Sequence, residues 1–314
     1  MDNTAYFDLE NENGFFSVYF FLLSTYIYAV KTDQMLCVKD DKWKFTYLNG
    51  LDDYFILNER ILKYSASPPV PDAYLFRHMK EPPIRASPTL NDYRTYSKEL
   101  YVVRPDILQS YNLPANYNSI FLRGGDKLIH EAKQHDIAEY VNCLVKLDTG
   151  IKDLFVHSDD NQLVEQVKHY IEEHQIPLHV HKITDERCNG GAVIMKHLRK
   201  GACKDIQSVD EMTAHDIYAH TVLMLNAIEI MRKSKNVIVS YDTNVSRFMK
   251  LNFDCNVYSI HHSNEFEYDH PVQNPAYGFE APINVANEIV ALRQEIRELK
   301  QDIKEILAVI KSGK

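Results

Sequence analysis

Arg123, Asp126, Lys127 and Glu131 fall in one short stretch, FLRGGDKLIHEAKQHDIAEY (121–140), around a Gly124-Gly125 pair. A glycine pair lets the backbone turn sharply after a strand. An arginine beside it offers paired N–H donors and a lysine offers a compact charge, so the stretch could hold a diphosphate. Glu131 could then serve as a base. The plain alternative is a strand–turn–helix whose charges are solvated or paired among themselves. Spacing alone does not separate the two readings.

Two further stretches have the same character. In HSDDNQLV (157–164), Asp159 and Asp160 stand immediately before a helical pattern. Acidic residues there cap a helix and favour its dipole. Paired carboxylates could also carry a divalent metal bridging a nucleotide diphosphate, although no third carboxylate is placed to help. In SYDTNVSRF (240–248), Thr243 and Asn244 open a helix, where backbone N–H groups attract phosphate. Other chemistry-bearing residues carry less. His179 and His181 share a strand face and His261-His262 are adjacent, but neither pair has a third ligand at a metal-site spacing. Cys188 to Gly191 (CNGG) reads as a turn rather than a nucleophile site, and Trp43 as core rather than a sugar platform.

The elements that must position these loops follow from the apolar pattern. From residue 118 onward, strands at 119–122, 153–157, 178–181 and 236–240 alternate with helices at 136–147, 163–171 and 215–231. That alternation is the signature of a parallel sheet covered by helices, which places ligands at the carboxyl ends of its strands. Upstream, the apolar run 15–30 (FFSVYFFLLSTYIYAV) follows Asp8, Glu10 and Glu12. It is shorter than the roughly 20 apolar residues of a membrane span and lacks the basic flank of a signal peptide, so it reads as a buried helix. A strand is expected at 35–38, and the proline-punctuated, tyrosine-rich region 66–90 reads as connecting structure.

The composition agrees with an ordinary globular chain: 314 residues, 45% hydrophobic and 25% charged, with 10 Gly and 12 Pro. The length allows two units with their own cores. A formal net charge of −9 argues against a general grip on nucleic acid or anionic membranes. The five cysteines are scattered, odd in number and form no C-x-x-C pair, which fits a reducing compartment and suggests neither a zinc knuckle nor a disulfide framework. In the tail, Ile289, Leu292, Ile296, Leu299, Ile303, Ile306 and Ile310 recur at spacings of three and four as a heptad seam. Glu288 and Glu295 fall at g, and Arg293 and Lys300 at e, so two parallel copies attract one another. Packing back on its own chain is the alternative.

The strings LRGGDK…E…H…EY, VHSDD and VSYDTNVSR resemble the three strand-end segments of the α1,6-fucosyltransferase family, and residues 14–55 are similar to its glycine-led first helix, following strand and aromatic segment. The resemblance covers most of residues 11–255. It implies two facing Rossmann-like halves (GT-B-like), a GDP-sugar donor held mainly by the second half, and inverting transfer of fucose to a glycan acceptor without a metal or other cofactor. Carried over residue by residue, it makes Arg123 the donor-phosphate arginine and Glu131 the general base. Asp126, Lys127, Tyr140, Asp159 and Asp160 become further site residues, with Lys127 among the catalytic ones, and Thr243 and Asn244 approach the diphosphate.

The sequence departs from the family at three places. Its second arginine is Gly124 here, its threonine is Gly125, and the carboxylate that reads guanine falls near Asn226 or Ala227. Losing that acid removes a base contact worth roughly 1–3 kcal/mol, which leaves room for another GDP-deoxyhexose or another nucleotide. The expectation is an α/β protein divided into an acceptor-side domain (1–115), a nucleotide-sugar-binding domain (116–262), a linker (263–283) and a coiled-coil helix (284–314). It is a cytoplasmic fucosyltransferase-like enzyme with no membrane span, dimeric or trimeric through residues 288–310. A non-catalytic glycan- or nucleotide-binding relative is the alternative.

Overall fold

The structure is a computed structural model that describes residues 4–9, 14–63, 88–124, 136–147, 150–184, 192–193, 207–208, 212–241 and 243–260. The expected linker and coiled-coil tail, His261-His262 and the CNGG stretch lie outside the described residues, as does most of the proline-rich region.

The chain opens with β1 (Thr4–Asp8), α1 (Phe15–Lys31), β2 (Met35–Lys39) and β3 (Ile61–Lys63), and the strands form a parallel sheet in the order β1-β2-β3. Apolar nearly all round, α1 is buried on most sides, as such a pattern requires. Its hydroxyls do not obstruct burial, because Ser24 and Thr25 donate back to the carbonyls of Phe20 and Phe21. Among the described residues no helix is long and apolar enough to cross a membrane. Between β2 and β3 the chain wraps around Asp53, whose carboxylate accepts the N–H groups of Tyr47, Leu48 and Asn49. Next comes α2 (Leu90–Leu100), begun by a Thr89–Asp92 capping box.

The second sheet follows from β4 (Asn118–Leu122), α3 (Ile137–Lys146), β5 (Asp153–Ser158), α4 (Asn161–Glu173) and β6 (His179–His181). A short parallel pair, β7 (Ala192–Val193) and β8 (Gln207–Ser208), precedes α5 (Ala214–Arg232), β9 (Asn236–Val239), α6 (Asn244–Asn252) and β10 (Asn256–Ser259). Five strands run parallel in the order β10-β9-β4-β5-β6. Every strand–helix alternation expected after residue 118 is present. The short strands β1, β3 and β10, and the polar helix α2, were not expected from the pattern.

Side chains of the second sheet alternate between two cores. Ile120, Leu122, Leu154, Val156 and Ile238 face α3 and α4. Phe121, Phe155, Val237, Val239 and Val257 face α5 and α6, in a core that also contains α1, β1, β2 and the aromatic residues Trp43, Phe45 and Tyr54. Trp43 is therefore core, as expected. The two sheets share one continuous apolar interior rather than each closing its own. Phe248 on α6 packs on Phe16, Tyr19 and Tyr101 with ring centroids 4.6, 5.4 and 4.4 Å apart.

Candidate active site

Adjacent in the second sheet, β9, β4 and β5 end on the three stretches singled out above. The register pairs Phe121 with His157 and Leu122 with Ser158, and the same two strands end in Arg123 and Asp159. Arg123 forms an ion pair with Asp159, with side chains 18% and 23% exposed. The other carboxylate oxygen of Asp159 accepts the N–H of Gly124 at 2.6 Å. Arg123 is thus held at the carboxyl end of β4 already matched by an acid.

Gly124 is needed at its position by close approach. A Cβ there would stand 2.8 Å from the Cβ of Asp160 and 3.3 Å from Asp159 Oδ1. No side chain, and no second arginine, fits where the β4 and β5 loops touch. Asp160 caps α4 by accepting the N–H of Gln162 at 2.9 Å, and Ser158 Oγ accepts the N–H of Asp160. Of its two readings, capping is the one that the geometry displays.

Beneath the ion pair lies His157, fully buried and stacked on Phe121. Thr184 Oγ1 donates to the carbonyl of Ser158, so His157 Nδ1 donates to Thr184 Oγ1 at 2.9 Å. Desolvation pushes the imidazole down to about 4, keeping it neutral.

At the end of β9, Thr243 caps α6 by accepting the N–H of Ser246 at 3.2 Å. Asn244 Nδ2 donates to Ser17 Oγ in the first turn of α1 at 2.7 Å. The helix starts that follow β1 and β9 therefore meet, and the carboxyl ends of the two sheets converge there. Arg247, one turn into α6, donates from Nε to the Tyr241 carbonyl at 3.1 Å and from Nη1 to Asn244 Oδ1 at 3.5 Å.

Asp126, Lys127 and Glu131 lie outside the described residues. Tyr140 is 4% exposed and packs in the core beneath α3. Asn226 and Ala227, nearest to the family's base-reading acid, are buried in the interior. Asn226 accepts the N–H of Gln109 at 2.7 Å and donates to the carbonyls of Ile107 and Val222, so its amide ties α5 to the segment that leads into the second sheet. Among the described residues no group of three or more His, Cys, Asp and Glu is placed to hold a metal ion. His181 instead contacts Asp153 at 2.8 Å. A cleft of about 440 Å³ between Asp52, Phe55, Ile56 and Arg104 is lined by none of the candidate residues. Sequence reasoning passed over Ser17, His157 and Arg247. Arg247 was visible as a cation one turn after Thr243, whereas Ser17 and His157 carry no local signal.

Fold and site together define a two-sheet parallel α/β protein with its polar side chains gathered at the strand ends. No family model matches the chain, and no curated protein matches it in sequence. Among solved structures it is similar to NodZ alpha-1,6-fucosyltransferase soaked with GDP-fucose, at 12% identity over 80% of this chain and 93% of that one, with a TM-score of 0.48. Similar too are the same enzyme co-crystallised with GDP, at 11% identity over 80% and 93% with a TM-score of 0.48, and fucosyltransferase NodZ from Bradyrhizobium, at 12% identity over 80% and 94% with a TM-score of 0.48.

Proposed function

We propose that the protein is a sugar-nucleotide-dependent glycosyltransferase that moves fucose, or a related deoxyhexose, from a GDP-sugar to a glycan hydroxyl. One observation carries the reading. Three stretches from distant parts of the chain, each quoted above for its resemblance to the same family, end three neighbouring strands of one sheet. A parallel sheet binds its ligand at that edge.

The reaction is a single displacement at the anomeric carbon. Glu131 takes the proton of the acceptor hydroxyl as its oxygen bonds to that carbon. The bond from the same carbon to the diphosphate breaks, and GDP departs with the electron pair. Arg123, Lys127 and the groups at the start of α6 stabilise the charge that develops on it. Neither a metal nor another cofactor enters this scheme. Asp159 acts here as a placeholder, keeping the Arg123 guanidinium oriented until phosphate replaces it. In the same proposal residues 288–310 pair the chain with one or two copies of itself, and the enzyme works in a cytoplasmic glycan pathway.

GDP release from GDP-fucose in the presence of a glycan acceptor mixture tests the enzymatic reading. A non-catalytic relative would bind and saturate without turnover. Arg123→Ala should abolish release; an unchanged rate would remove the assignment. A thermal-shift panel of GDP, UDP, ADP and CMP identifies the base, since a ligand at a hundredfold excess over Kd stabilises by about 2.7 kcal/mol.

A further inference from the structure

A cleft of about 440 Å³ is built by the first half of the chain alone, where residues 52–57 run beside residues 104–106. A bridge between Phe55 and Val103 joins the two segments, and the N–H of Arg104 bonds the Tyr54 carbonyl at 2.9 Å, so the walls are fixed to one another. One wall is apolar, formed by Phe55, Ile56 and Pro105, with Ile56 left 52% exposed. The other is charged, and each of its charges is matched. Arg104 donates from Nε and Nη2 to the two carboxylate oxygens of Asp106 at 2.9 and 2.6 Å, and from Nη1 to the Asp52 carbonyl at 2.8 Å. The Asp52 carboxylate pairs with Lys63 at 3.0 Å.

That balance selects by charge. A phosphate, a carboxylate or an ammonium ion would find no countercharge of its own here. A neutral polyol needs none. Nη1 and Nη2 of Arg104 each keep a second N–H, and the Asp106 carboxylate, 61% exposed, keeps lone pairs, so the planar pair offers donors and acceptors side by side. A sugar ring fits both walls, because its C–H face is apolar and its edge carries hydroxyls that donate and accept. The cleft also borders the second half. Tyr218 of α5 lies close enough to interact with the charges of Arg104 and Asp106, and it stacks on Tyr47 at 4.5 Å. Helix α5 shares a core with β9 and leads directly into it. Its 19 residues span about 28 Å against about 13 Å for the four of β9. The early turns of α5, Tyr218 among them, therefore reach past the carboxyl ends of the second sheet.

We infer that this cleft is a subsite for one neutral sugar ring of the acceptor glycan. The inference rests on the proposed glycosyltransferase reading and deepens it, giving the first half its own grip on the acceptor.

Saturation-transfer NMR of the full chain, titrated with the methyl glycosides of glucose, galactose, mannose and N-acetylglucosamine, tests it without turnover. The wild type should transfer signal to at least one of them. Ile56→Glu, which puts a charge on the apolar wall, and Asp106→Ala, which opens the planar pair, should each weaken that glycoside by about tenfold or more, the scale of one hydrogen bond to a charged group. The thermal shift given by GDP should stay as in the wild type. No signal from any glycoside in the wild type, or unchanged binding in either variant, overturns the inference, whatever GDP-fucose turnover shows. Glycoside binding that both variants lose, in a chain that never releases GDP from GDP-fucose, keeps the sugar subsite and removes only the transferase reading. Should Asp106→Ala fail to fold, Ile56→Glu decides alone, since its position is open to solvent. If Ile56→Glu instead turns a wild-type dimer into a monomer in sedimentation, the apolar wall is an interface between copies and the inference falls.

Discussion

Burying a neutral imidazole under the ion pair has a thermodynamic cost that pH reveals. His157 has an ordinary value near 6.5 in the unfolded chain and about 4 in the folded one. Its folded value is depressed, so the unfolded chain binds the extra proton. The stability it contributes is complete above pH 6.5 and is lost as pH falls towards 4, about 3 kcal/mol in all. Urea midpoints measured between pH 7 and pH 4 should show this slope, and His157→Phe should flatten it. Gly124→Ala should cost about 1–3 kcal/mol in the same assay through the clash with Asp160. Asn226→Asp, which would restore an acid near the family's base-reading position, should instead destabilise by about 1–3 kcal/mol and confer no guanine preference. The new oxygen would face the Ile107 and Val222 carbonyls that the amide now satisfies. At this scale the sequence disclosed which residue types stand at the strand ends. It did not disclose that Arg123 and Asp159 pair, that Gly124 is sterically required or that Asn226 points inward, because each depends on contacts between residues far apart in the chain.

Helix starts are what the candidate loops have most visibly been built to make. Asp136, Asp160 and Thr243 cap α3, α4 and α6, and capping boxes begin α2 and α5. Thr243→Ala should therefore lower stability by about 1 kcal/mol, seen as a reduced urea midpoint with an unchanged slope. If its hydroxyl also meets a diphosphate, GDP affinity should fall as well. Legibility was uneven at this scale. Runs such as NVIV in β9 are fully buried and stand out from polar neighbours. The three residues of β3 and the four of β10 are too few to show a period. Among the described side chains of α2 the buried ones are Tyr93, Ser97 and Leu100, so a mostly polar composition hides its apolar face.

Ser97 shows how the molecule is joined as a whole. Its hydroxyl contacts Tyr19 Oη at 2.8 Å and donates to Asn252 Oδ1 at 2.9 Å, linking α2, α1 and α6 in one buried relay. Ser97→Ala removes the donor to the buried Asn252 Oδ1, while Tyr19 Oη keeps the carbonyl of residue 97, and should cost about 1–3 kcal/mol, read from the same denaturation curves in one cooperative transition. The division at residue 115 was drawn from a change of pattern, and a pattern does not reveal whether two sheets share their interior. Beside that relay, Phe16, Tyr19 and Tyr101 on one side and Phe248 on the other pack ring on ring. Domains that open like a book need a wettable crease, and these packed rings offer none. Neither half, made as a separate fragment, would have a surface fit for water.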